Sequence, residues 1–109
     1  MSLGINNETT QPVTLIESIS GATTSKVFTV EENKKATIYS DLVIGAGETI
    51  KVQIKKPDGS FVDVYGDDVQ LKLTATNNVT AIWGKGIFRI TKTSTASPVG
   101  VYAYNVNFR

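Results

Sequence analysis

The chain has no cysteine and no histidine among its 109 residues. The first absence excludes disulfides and thiolate nucleophiles, and the two together leave the usual zinc sites without ligands. Neither charge predominates: eleven basic residues against ten acidic ones leave a formal +1, spread without a basic block. Such a balance carries no electrostatic footprint for nucleic acid or an anionic membrane surface, so neither is an expected partner. No apolar run approaches the ~20 residues of a membrane helix. The opening MSLGINNETTQ also has no basic n-region and no apolar h-region, so a protein made and used without signal-directed secretion is expected. Proline is limited to three residues and tryptophan to one. A sustained 3.6-residue period is missing as well, so little or no helix is expected.

What is present is alternation. Glu48 to Tyr65, ETIKVQIKKPDGSFVDVY, reads as a β-hairpin complete with its turn. Ile50, Val52 and Ile54 share one face, with Lys51, Gln53 and Lys55 on the other. Pro57 presets φ, Asp58 can bond the local backbone, and Gly59 supplies the left-handed residue of a bulged turn. Similar runs follow along the chain. Val13, Leu15 and Ile19 alternate in PVTLIESI, with Ile16 on the opposite face. Ala36, Ile38, Leu42 and Ile44 point inward between outward Thr37, Tyr39, Asp41 and Val43. VQLKLTAT (69–76) is the cleanest alternation, and Asn77-Asn78 offers the positive φ of a tight turn into Val79–Trp83. Ile87–Lys92 and Val101–Phe108 close the set.

About eight strands at spacings of roughly 8 to 12 residues predict an all-β protein, an antiparallel β-sandwich or jelly roll. The polar residues 1–11, with Leu3 and Ile5 their only large apolar side chains after Met1, read as an extended N-terminal arm. Residues 12–109 read as a single β-sandwich domain, a length that buries roughly 60 to 70% of its unfolded surface.

Catalysis needs a nucleophile with a base, paired carboxylates or a metal. Asp58, Asp63, Asp67 and Asp68 lie close in sequence, but their spacing fits no calcium loop, and turns and solvated loops account for them. Gly84-Lys85-Gly86 lacks the spacing, the following Ser or Thr and the helix of a phosphate loop. No catalytic, metal or cofactor-binding residue is therefore expected, and the chain does not read as an enzyme. Trp83 with Tyr102 and Tyr104 suggests a stacking platform, weighed against the commoner role of a lone tryptophan in a core. Leu3 and Ile5 of the arm, with Tyr39 and Tyr65 on strand surfaces, are the candidate partner-binding residues.

A small Thr/Ser/Asn-rich, cysteine-free β domain with a polar arm resembles the small virion proteins of tailed bacteriophages, above all those that decorate or cement capsids. The resemblance lies in KVQIKKPDGSFVDVY and the closing GIFRITKTSTASPVGVYAYNV, roughly the C-terminal half. It implies a structural role, with the major capsid protein as partner and a homo-oligomer, dimer or trimer, as the working form. It further implies synthesis in the host cytoplasm and residence on the virion surface. A head-completion or tail component, and a carbohydrate- or receptor-binding β module, are the alternatives.

Overall fold

Wherever apolar and polar residues alternate, the backbone satisfies its hydrogen bonds laterally, and the computed structural model, which describes residues 12–66 and 69–108, is built of strands without a helix. In chain order these are β1 (Val13–Ile19), β2 (Thr23–Thr24), β3 (Phe28–Val30), β4 (Lys35–Ser40), β5 (Ile50–Lys55) and β6 (Phe61–Asp63). There follow β7 (Tyr65–Gly66), β8 (Val69–Gln70), β9 (Lys72–Leu73), β10 (Val79–Trp83), β11 (Gly86–Lys92) and β12 (Val99–Tyr104). The twelve segments exceed the expected eight because several are two- or three-residue pieces.

They form two antiparallel sheets, as a β-sandwich requires. The first has the order β1-β12-β4-β10. The second has the order β2-β11-β5-β6, with β3 also on β11 and β9 also on β5. β7 and β8 pair as a separate ribbon. Between the sheets lies one core. Ile38, Val101 and Ile82 from the first sheet meet Phe28, Val52, Leu73 and Ile90 from the second, all at most 2% exposed. Each such side chain contributes about 1.5–3 kcal/mol relative to exposure. Phe28 and Phe88 stack within it, with ring centroids 6.1 Å apart.

The predicted hairpin forms as read. β5 pairs β6 through Gln53↔Asp63, Ile54↔Val62 and Lys55↔Phe61. Gly59 adopts φ 94°, and its N–H donates to Lys56 O at 2.9 Å. Asp58 Oδ1 accepts from the Ser60 N–H at 2.9 Å and the Ser60 hydroxyl at 2.7 Å. Asn33, in the charged turn after β3, is also left-handed at φ 66°.

Four local expectations are corrected. Residues 69–76 are not one strand: β8 joins the ribbon while β9 joins β5. The cause is a fork beside Val52, whose N–H donates to Leu71 O at 3.0 Å and whose carbonyl accepts from Val64 N–H at 2.9 Å. Two segments thus share one edge of β5, and β7 and β8 pair with each other instead. The next turn centres on Ala75-Thr76, closed by the Thr74 N–H to Asn77 O bond at 2.8 Å, and Asn77 and Asn78 keep negative φ. In β1 a register shift between Thr14 and Ile16 lets both Leu15 and Ile16 bury, while Ile19 stays 43% exposed. Finally, β4 stops at Ser40. Asp41 then leaves the sheet, its N–H bonded to Gly100 O and its carboxylate to Gly100 N–H, which carries Leu42 out to solvent rather than inward.

Candidate interaction surface

The outer face of the first sheet is aromatic because β4 and β12 place their tyrosines at matching parity. The register pairs Thr14 with Tyr102, Tyr102 with Tyr39 and Tyr39 with Val79, a row that crosses all four strands. Tyr39 stacks on Tyr102 at 5.7 Å and on Tyr104 at 6.1 Å between centroids. Tyr102 covers Gly100 on the same strand, where an added Cβ would lie 2.9 Å from the tyrosine hydroxyl and 3.2 Å from Ile16 O. Partial burial, then the neighbouring Tyr104 hydroxyl, pushes the Tyr39 phenol above its ordinary value.

Trp83 departs most from expectation. The lone tryptophan is not in the core but 74% exposed. Thr80 and Ile82 of β10 oppose the buried face of β4, so Val79, Ala81 and Trp83 must point outward. Trp83 sits opposite Lys35, whose Nζ lies 5.4 Å from the ring. It also lines a groove of about 380 Å³ with Tyr65, over the buried Ile82 and Phe88. A second open groove of about 780 Å³ shares Ile54 and Lys85 with the first and is lined further by Glu31, Glu32 and Ile87.

Of the residues singled out from the sequence, Leu3 and Ile5 lie outside the described residues, with the rest of segment 1–11. Tyr39 is half-buried within the tyrosine cluster, and Tyr65 is 63% exposed on β7 beside the groove. They therefore occupy different surfaces. Trp83 links the two, since by parity it shares the outer face of the first sheet with Tyr39 and by contact it lines the groove with Tyr65.

The opposite face of the sandwich is polar. Across β11, β5 and β6, Arg89 Nε donates to Gln53 Oε1 at 2.8 Å and Gln53 Nε2 donates to Asp63 Oδ1 at 3.0 Å. Gln70 and Lys51 also reach Asp63, and the Arg89 guanidinium lies 4.1 Å from the Phe61 ring centroid. Asp63 is thus occupied by its cross-strand partners and Asp58 by its turn, while Asp67 and Asp68 lie outside the described residues. No cluster of three or more potential metal-ligating side chains occurs among the described residues.

Sequence reasoning passed over Lys92. At 3% exposure it is a buried charge at the end of β11, donating to Gly21 O at 2.9 Å and Thr93 O at 3.2 Å. Burial pulls its ammonium below the ordinary lysine value, opposed by the nearby Glu48 carboxylate. Glu48 in turn accepts from Gly45 N–H at 2.7 Å and Ala96 N–H at 2.9 Å, bonds that lower its own pKa. The signal was the parity of Phe88, Ile90 and Lys92. Together these side chains tie the loops at 20–22, 45–49 and 93–97 into one rigid end.

No protein-family model matches the chain, and no curated protein matches it in sequence. Among solved structures it is similar to the crystal structure of the SPBc2 prophage-derived protein YomS. The TM-score is 0.66 at 16% identity, over 89% of this chain and 92% of that one. At such low identity the likeness establishes a shared fold, extending over nearly the whole of both chains. The resemblance to phage proteins read from the sequence thus has a counterpart in a protein of prophage origin.

Proposed function

We propose that this protein is a structural component of a phage virion and that it decorates the capsid, binding the major capsid protein and stabilising the assembled shell. The observation that carries the reading is the sandwich shared almost end to end with a prophage-derived protein. The surface agrees with it: half-buried tyrosines on a rigid sheet, such as Tyr39, present large amphipathic area at low entropic cost, as interfaces favour. A rigid domain that binds only the assembled shell stabilises that state by mass action. In this reading the protein is not an enzyme and uses no cofactor. It is made in the host cytoplasm, resides on the virion and acts as a homo-oligomer. Leu3, Ile5, Tyr39 and Tyr65 contribute to its contacts.

Mixing the purified protein with undecorated capsids tests this. Saturable co-sedimentation and a higher shell melting temperature are expected, and no binding would overturn the capsid role. Binding to tail or connector assemblies instead would assign it to head completion or the tail. Deleting residues 1–11 should leave the thermal unfolding of the domain intact and weaken attachment; unchanged affinity would remove Leu3 and Ile5 from the interface.

The exposure of Trp83 beside Tyr65 favours a second reading, a carbohydrate- or receptor-binding module in which the indole stacks on a sugar ring. A glycan array with Trp83→Ala as the control separates the two readings, because only the second requires a Trp83-dependent signal.

A further inference from the structure

We infer that β10 is a self-pairing edge, through which two copies of this chain join their first sheets across a two-fold axis at Ala81. The inference stands on edge geometry and is independent of the virion reading.

β10 ends its sheet, with β4 on one side and no strand of the described residues on the other. Its pairing with β4 is continuous from Val79↔Tyr39 to Trp83↔Lys35. The phase of the ladder follows from the bond donated by Ser40 N–H to Asn78 O at 3.3 Å. In an antiparallel pair hydrogen-bonded positions alternate, so Thr80 and Ile82 bond to β4. The N–H and C=O groups of Val79, Ala81 and Trp83 therefore point away from it. Water can serve these groups one by one, but another extended backbone matches the whole row of alternating donors and acceptors at once.

The other edges are blunted in the ways that proteins use against strand pairing. β1 is broken by two register shifts. β6 and β2 are only three and two residues long. β10, with five residues, carries no proline, no charge and no bulge. It also exposes Val79 and Trp83, at 48% and 74%.

A second copy fits because the strand is uncharged and self-complementary in the required phase. Antiparallel pairing about Ala81 sets Ala81, the smallest outward side chain of the strand, against its own counterpart on the two-fold axis. Val79 then lies against Trp83 of the other copy, and each of these pairs is of the type that exchanges two backbone hydrogen bonds. No like charges are opposed. The aromatic row of Tyr102 and Tyr39 continues through Val79 into the Trp83 of the second copy. The contact is isologous and closes at two copies, which selects a dimer.

Sedimentation of the full chain from dilute to near-millimolar concentration should show a monomer–dimer equilibrium. Amide exchange at the dimer end of that range should protect the N–H groups of Val79, Ala81 and Trp83. Those of Thr80 and Ile82 should be protected at every concentration. Ala81→Pro removes an outward donor without touching the β4 ladder, and Val79→Lys places a charge at an already exposed position. Each should weaken the dimer by about tenfold or more while the far-UV spectrum is retained. If Ala81→Pro does not fold, Val79→Lys carries the test. A wild-type monomer throughout, a dimer indifferent to Val79→Lys, or odd-numbered amides that stay open in the dimer would overturn the inference.

Discussion

Lys92 is the residue whose chemistry the alternation pattern least advertises. Its ammonium satisfies two loop carbonyls from a position that an aliphatic residue would otherwise occupy. Lys92→Ala leaves a cavity and two unpartnered carbonyls, and should destabilise by about 2–4 kcal/mol, read as a lowered melting temperature. The pH dependence has a definite sign. Burial depresses the folded-state pKa, so below the ordinary value near 10.5 the unfolded chain binds more protons. Stability should therefore rise with pH from the depressed value toward 10.5 and then level off. Tyr39 works in the opposite direction: its raised pKa makes a contribution that is complete below about 10 and lost as pH climbs through the folded value. On the acid side, Glu48 and Asp58 are held low by backbone donors, which favours the folded state above their ordinary values. That contribution should disappear as pH falls through the depressed pKa values. Urea titrations against pH check each sign, with Lys92→Met, Tyr39→Phe and Glu48→Gln each flattening its own window. Trp83 should emit like a solvated indole and be quenched readily by iodide; a blue-shifted, protected emission would contradict its exposed position.

Strands divide into those that local chemistry specified and those that neighbours redefined. The β5–β6 turn belongs to the first group, because Pro57, Asp58 and Gly59 each have one role there and each performs it. Gly59→Ala forces a side chain into φ 94° and should cost about 1–2 kcal/mol in urea titrations. Val52→Asp would bury an unpaired carboxylate at the fork of β5, at about 3 kcal/mol or more. A soluble V52D protein that unfolds cooperatively at wild-type stability would place this face wrongly. Residues 69–76 belong to the second group. Their alternation is real, but Val52 bonds to Leu71 through its N–H and to Val64 through its carbonyl, and the strand divides where β5 takes up both segments. Leu42 and Trp83 went astray for related reasons. Periodicity identifies a face but does not say where a strand ends, as at Ser40, nor that β10 lies at an edge with its outward residues uncovered.

In the whole molecule, one face is a tyrosine surface, the other a polar network centred on Gln53 and Asp63, and one end a set of loops held by Lys92 and Glu48. The partner-binding candidates named from sequence were legible only as residue types. Tyr39 and Tyr65 share an outward parity in their own strands, yet the fold sends one to a sheet face and the other to a groove. The class of the fold, its principal turn and most of its core were legible in the chain alone, because side-chain period and turn stereochemistry act over a few neighbouring residues. The absence of cysteine and histidine chemistry was equally legible there. Tertiary pairing set which strands became neighbours, which edge has no partner among the described residues and that Trp83 lies on the surface. Those outcomes depend on pairings between residues far apart in the chain, and a local pattern carries no record of them.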